Sequence, residues 1–241
     1  MIVYQHPGLE GLEIWHGLAR HAALFQLRDD KAAYFAGLAE FLERLHAGTA
    51  ETASGDQLGR AAGFKRLLIT GGEAAAIPFP HTQLLPDPFC ARRGAEAIWA
   101  EFGWRRPLAI DLGQTQLKRM TLTENTAFTR DLPYGRTALP EAEGRARLRA
   151  FVRLALSAAG DYDGVVLGLP NRITAEGEAE SSTYPGLYGP VEPLFGSLFP
   201  NVPWVVVNDA VLTARGHPPE AKQKTLVLTM GFGVGAALWH A

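Results

Sequence analysis

The chain has 241 residues, 47% of them hydrophobic and 20% charged, with a formal charge of −2. That composition allows a packed core and excludes global disorder, and the charge excludes a dedicated nucleic-acid binder, which carries a strongly basic face. Cys90 is the single cysteine, which rules out an intrachain disulfide and a cysteine-rich zinc site. No apolar run approaches the ~20 residues that span a bilayer. The start, MIVYQHPGLEG, has neither the basic nor the apolar region of a signal peptide, so a cytoplasmic location is expected.

In chain order, MIVYQ reads as a short strand. KAAYFAGLAEFLERLHA is an amphipathic helix with Tyr34, Leu38, Phe41, Leu42 and Leu45 on one face. ETASGDQLGRAAG reads as loop and a short helical turn, FKRLLITGG as a strand ending in two glycines, and CARRGAEAIWAEFG as a helix. From Pro107, the runs PLAIDLG, QLKRMTLTE and AFTRDLP form a meander of strands. PEAEGRARLRAFVRLALSAAG is a helix, with Pro140 in its first turn, acids early, and Leu148, Val152, Ala155 and Leu156 at helical spacing. GVVLGLP and WVVVND are continuous apolar strands of the kind buried on both faces. A short helix at GPVEPLFGSLF lies between them, and another starts at Asp209. TLVLTMG and GVGAALWHA close the chain as a strand pair.

The order from Pro107 is therefore βββαβαβ. The C-terminal pair lacks a third strand, which MIVYQ is expected to supply. Read from Thr225 through the termini to Gly103, the chain repeats the same βββα…βα pattern, without any letter-level repeat. The expected division is a first lobe over 106–221 and a second over 1–105 plus 222–241.

Four turns after strands carry candidate chemistry, because ligands of open α/β sheets gather at the carboxyl ends of strands. In IDLGQT, Asp111 ends a strand and Gly113 turns the chain. The backbone N–H groups of Gly113, Gln114 and Thr115 suit a phosphate and Asp111 suits a hydrated Mg²⁺. An ordinary hairpin turn explains the same residues. In TMGFGVG, from Thr229, the glycines Gly231 and Gly233 expose backbone amides, or form a plain β-turn. In LLITGGE, Gly71 and Gly72 leave room for a base or ribose, or simply link strand to helix. In VVVNDA, Asn208 and Asp209 suit a substrate contact and a general base, while Asp209 suits a helix N-cap equally well.

Together these segments resemble the ROK (repressor/ORF/kinase) sugar-kinase family of the actin, hexokinase and heat-shock superfamily. IDLGQTQLKRM resembles the family's first phosphate motif, LTMGFGVGAAL its second and LLITGGEA its adenosine motif. VPWVVVNDAVLTARG resembles the segment whose Asn-Asp pair contacts sugar and supplies the base. GVVLGLP falls at the family's Gly-x-Pro strand end, and RRGAEAIWAEF resembles its closing helix. GLEIWHG overlays an Ala-Gly-Glu-x-Gly-His segment, with Glu13 and His16 at the Glu and His positions. The adenosine segment and closing helix precede the first phosphate motif here, the reverse of the family order. The resemblance thus implies an α/β, two-lobed actin-like ATPase (ribonuclease H-like) fold, circularly permuted, with its cut in the hairpin between Ala241 and Met1.

The function so implied is ATP-dependent phosphorylation of a hydroxyl on a sugar or similar small metabolite, with ATP and Mg²⁺ as cofactors. Asp209 would be the base and Asp111 the metal ligand. Gly113, Gln114, Thr115, Thr229, Gly231, Gly233, Gly71 and Gly72 would hold nucleotide, and Asn208, Glu13 and His16 the substrate. Neither nucleic acid nor membrane is an expected partner; a homodimer is allowed. Gln114 in place of a second Gly, Phe232 in place of a hydroxyl residue and Trp15 in place of Gly depart from the family. They keep open a nucleotide- or metabolite-binding protein without phosphotransfer, in a regulatory or assembly role.

Overall fold

The computed structural model describes residues 1–12, 30–50, 57–113, 116–129, 139–157, 159–180, 186–220, 223–230 and 234–240. Thirteen strands lie along the described chain. They are β1 Ile2–Val3, β2 Leu9–Leu12, β3 Arg66–Thr70, β4 Thr82–Leu84, β5 Pro107–Leu112, β6 Gln116–Met120 and β7 Asn125–Thr129, then β8 Gly164–Leu169, β9 Glu178–Ala179, β10 Gly189–Pro190, β11 Trp204–Asn208, β12 Thr225–Met230 and β13 Val234–Trp239. The α-helices are α1 Lys31–Ala47, α2 Ala91–Phe102, α3 Glu141–Ser157, α4 Val191–Phe195 and α5 Asp209–Arg215. None of them is long and apolar enough to cross a membrane.

The chain forms two compact units, one of Met1–His6 with Phe89–His217 and the other of Pro7–Pro88 with Pro218–Ala241. Relative to the division expected from sequence, Met1–His6 and residues 89–105 fall in the first unit.

The first unit is built on a six-stranded sheet in the order β1-β11-β8-β5-β6-β7. The β5–β6–β7 meander is antiparallel, and β8, β11 and β1 join β5 in parallel. Every residue of β5 and of β8 is buried, as parallel strands covered on both faces require. One face packs on α3, whose Leu148, Val152 and Ala155 are fully buried at helical spacing, and on Phe195 of α4. A small antiparallel pair, β9 and β10, lies outside the main sheet.

MIVYQ does not complete the C-terminal pair. Ile2 and Val3 instead pair in parallel with Val205 and Val206 of β11, and Tyr4 N–H donates to the Val206 carbonyl at 2.9 Å. A two-residue strand carries too little pattern to choose a partner, so tertiary contacts choose it. Arg215 donates to the Tyr4 hydroxyl at 2.9 Å and to Glu101 at 2.5 Å. The terminal ammonium lies 3.4 Å from Glu192.

The second unit has a five-stranded sheet in the order β2-β13-β12-β3-β4. The third strand beside the C-terminal pair is Leu9–Leu12, antiparallel to β13, while β3 and β4 run parallel to β12. α1 buries Phe35, Leu38, Phe41, Leu42 and Leu45 in the core of this unit with Phe64, Leu67, Leu226 and Leu228. Its ends are fixed locally: Asp30 accepts from the Ala33 N–H at 3.1 Å. Gly48, at φ 75°, donates back to the Arg44 and Leu45 carbonyls, a glycine cap of the left-handed type.

In the first unit α2 meets α5 at two glycines. A Cβ at Gly94 would overlap the Leu212 carbonyl oxygen, and one at Gly216 would lie 2.5 Å from the Gly94 nitrogen. Gly94→Ala gains about 1 kcal/mol of helix propensity, but the overlap is with backbone and no rotamer relieves it. The expected net loss in urea unfolding is about 1–3 kcal/mol. A Gly94→Ala variant as stable as wild type would show that the two helices separate freely.

Candidate active site

Three charged side chains converge at the carboxyl edge of the first unit's sheet. Asp111 is near the end of β5, directly opposite Lys118 of β6 and Gly168 of β8 in the strand register. Directly opposite residues present their side chains to the same face, and the Lys118 ammonium lies 3.3 Å from Asp111 Oδ2. The side chains are 23% and 10% exposed, respectively, so this is not a solvent-screened surface pair of negligible strength. Asp209 follows β11, one strand beyond β8. Gly168 lies between them in the sheet, where a Cβ would stand 3.0 Å from Leu212 Cδ2 and 3.6 Å from the Asp111 Cα.

The electrostatics follow from this enclosure. Burial, and then the neighbouring Asp111 carboxylate, push the Asp209 carboxyl up to about 7, against the smaller pull of the Ala210 N–H bond and Lys118. Burial lowers the Lys118 ammonium, but Asp111, Cys90 and Asp209 outweigh it and hold its pKa above the ordinary lysine value. A carboxyl poised near neutrality at a strand end has the property that general-base chemistry requires.

The cap of α5 is Asn208. Its Oδ1 accepts from the Ala210 and Val211 N–H groups at 3.0 and 3.1 Å, and its Nδ2 donates to the Asn171 carbonyl at 3.0 Å. Both oxygen lone pairs and one of the two amide hydrogens are thereby used. Asp209 accepts from the Ala210 N–H at 2.7 Å, within the first turn, whereas the capping residue is Asn208, so the Asp209 carboxylate is not what starts the helix. Asn171, 2% exposed, donates to the Glu180 and Leu187 carbonyls at 2.7 and 3.0 Å, and its Oδ1 is buried without a partner among the described residues. These bonds tie the turn after β8 to the end of β11.

The glycines divide into two kinds. A Cβ at Gly113 would stand 2.6 Å from the Gln116 carbonyl oxygen, and one at Gly71, at φ +108°, would overlap the Met230 backbone. Both are needed for chain packing itself. At Gly72 a Cβ would meet nothing within 4 Å, so that backbone faces open space. Thr229 pairs in register with Thr70 at the carboxyl ends of β12 and β3, and its hydroxyl is buried without a partner among the described residues. Gln114, Thr115, Gly231, Phe232, Gly233, Glu13, Trp15 and His16 lie outside the described residues.

Sequence reasoning missed Lys118. The signal lay in the hairpin: once Asp111 and Leu112 enter the turn and Leu117 leaves it, Lys118 must face Asp111, but the pairing shows only when the turn length is known. As a metal site, the cluster offers hard carboxylate oxygens from Asp111 and Asp209, the donor type Mg²⁺ takes when it keeps most of its waters. No group of three or more His, Cys, Asp or Glu suited to a metal occurs among the described residues, so the residues fit a partly hydrated ion rather than an all-protein cage.

No protein-family model matches the chain, and no curated protein matches it. Among solved structures it is similar to a ROK family protein from Streptococcus pneumoniae in complex with sucrose. The likeness has 22% sequence identity and a TM-score of 0.39, over 56% of this chain and 46% of that one. It is also similar to a Listeria monocytogenes protein provisionally assigned as an N-acetylmannosamine kinase, with 16% identity and a TM-score of 0.44, over 56% of this chain and 47% of that one. The match thus spans about half the length of each structure. Likeness this partial leaves the functional reading to the geometry.

The Asp209 shift has a measurable consequence for stability. Unfolded Asp loses its proton near 3.8, whereas the folded carboxyl holds it to about 7. The folded state therefore binds more protons across that window, and stability falls as pH rises through it. The ceiling on the penalty is about 4 kcal/mol, and because part of the residue still meets solvent a smaller value is expected. Asp209→Asn should be more stable than wild type by about 1–3 kcal/mol at pH 8, with the gap closing by pH 4. Urea unfolding at both pH values checks this; a destabilised variant at pH 8 would contradict it.

Proposed function

We propose that the chain is an ATP- and Mg²⁺-dependent kinase for a hydroxyl of a sugar or similar small metabolite, built on an actin-like fold whose halves are circularly permuted. The observation that carries the reading is the enclosed pair of carboxylates at the sheet's carboxyl edge, with Asp209 raised to about 7 by burial and by Asp111.

Strand order supports the permutation. The first sheet, taken along the chain from β5, runs third-second-first-fourth-fifth across space, with β1 added at the edge. The second sheet has the same order and the same directions if counting starts at β12, passes to β13 and continues at β2, β3 and β4. A cut between the second and third strands of one meander yields this arrangement.

In the reaction, an acceptor oxygen forms a bond to the γ-phosphorus of ATP as the bond from that phosphorus to the ADP oxygen breaks. Asp209 takes the acceptor's proton. Asp111 would hold Mg²⁺, which when bound neutralises phosphate charge. Phosphoryl transfer depends mainly on positioning and charge stabilisation, and the Asn208 cap fixes where Asp209 begins its helix. The second Nδ2 hydrogen of Asn208, beside the one given to the Asn171 carbonyl, would donate to an acceptor hydroxyl. In the second unit, the open Gly72 backbone would receive nucleotide, and the Thr229 hydroxyl has unused hydrogen-bonding capacity for a phosphate oxygen.

A second reading, nucleotide binding without transfer, is favoured by one observation: the Lys118 ammonium already occupies Asp111.

Two measurements test the proposal. In a screen of sugar acceptors followed by ADP release, kcat/KM should rise with pH to a plateau above about 7, the sign for a base that acts deprotonated. Asp209→Asn should bind ATP normally and lose about 10²- to 10⁴-fold in turnover; full activity in that variant would remove the assignment, and wild type inert towards every acceptor would favour the second reading. Gly72→Val, placed where the structure leaves space, should fold normally and lower ATP affinity in a thermal-shift titration. Unchanged affinity would move the nucleotide elsewhere.

A further inference from the structure

Lys118 lies within the segment IDLGQTQLKRM, where the sequence assigns it no role, yet it is the charge that the carboxylates face. Its ammonium lies 3.3 Å from Asp111 Oδ2, and it acts electrostatically on Asp209 as well. Its stem is fixed opposite Asp111 by the β5–β6 ladder, so the approach is set by strand register rather than by a chance rotamer. Among the described residues no other Lys or Arg forms an ion pair with either carboxylate.

Charge counting gives the consequence. With both carboxylates ionised, one ammonium leaves the cluster at a net charge of −1. A divalent ion added beside Lys118 would set two cations against the one Asp111 carboxylate in a poorly hydrated setting, where like charges repel strongly. A divalent ion added in place of Lys118 would neutralise the pair. Mg²⁺ and an ammonium are both hard cations seeking carboxylate oxygen, and their mutual repulsion makes them compete for Asp111.

We infer that the Lys118 ammonium is the resident cation of this carboxylate pair, and that a divalent metal ion reaching Asp111 must displace it. This rests on the proposed role of Asp111 as metal ligand. Lys118 then weakens metal binding to the free protein, so that metal arrives most favourably with nucleotide.

The test is a Mn²⁺ titration of the whole chain, with free Mn²⁺ read by electron paramagnetic resonance, on wild type, Lys118→Met, Lys118→Arg and Asp111→Asn. Lys118→Met should bind at least tenfold more tightly than wild type, and Lys118→Arg, which keeps the charge, should not. Equal or weaker binding by Lys118→Met overturns the inference. If Asp111→Asn leaves the affinity intact in the Lys118→Met background, or if no variant binds Mn²⁺, the metal role of Asp111 falls and this inference with it. An independent arm uses wild type alone. Amine acylation quantified by mass spectrometry should label Lys118 faster with saturating Mg²⁺ than without, relative to the other lysines. Unchanged or slower labelling contradicts displacement.

Discussion

The strands β5, β8 and β11 run parallel through the first unit with almost no residue open to water. Their interiors tolerate only apolar side chains, so every polar group needed near them is confined to the edge where they end. At that edge water is scarce, and each polar group must find a protein partner or change its charge state. Asp111 meets this by pairing with Lys118, Asn208 by capping α5 and donating to Asn171, and Asn171 by donating to two carbonyls. Asp209 meets it by holding its proton to about 7. The unusual titration is thus a consequence of the sheet's burial, and so is its usefulness for chemistry.

Glycine placement shows the same economy of space. Gly94 and Gly216 let α2 and α5 touch through backbone, which holds the helix that starts at Asp209 against the sheet. Gly71 and Gly113 let turns close against neighbouring carbonyls, whereas Gly72 opens onto free space. A glycine in a phosphate-like motif is therefore not evidence of ligand contact until the space beside it is known. Of Gly71, Gly72 and Gly113, only Gly72 has room for a ligand where its Cβ would be.

Much of the architecture was legible in sequence. The α1 helix falls on the residues read for it because Asp30 and Gly48 mark both ends chemically. The parallel strands were legible because continuous apolar runs have few other uses in a chain of this composition. What was hidden depends on partners distant in sequence. Ile2–Val3 is too short to carry periodicity, and GLEG in β2 looks like loop until β13 lies beside it. β4, three residues long and following Pro80, gives no periodic signal either. Asn208 and Asp209 are equally good caps in isolation, and only the true start of α5 decides between them. Lys118 carries no signal of its own in an alternating strand, since the register that turns it onto Asp111 is a property of the hairpin and not of the letters.

The central claim is that enclosure of the carboxylate pair sets the charge state of Asp209. The most direct measurement is a pH titration of the Asp209 side-chain carboxyl by ¹³C-detected NMR on the folded chain, in wild type and in Asp111→Asn. The expected wild-type midpoint is near 7, and it should move downward when the Asp111 charge is removed. A midpoint near 4, the ordinary value for aspartate, with no response to Asp111→Asn, would contradict it.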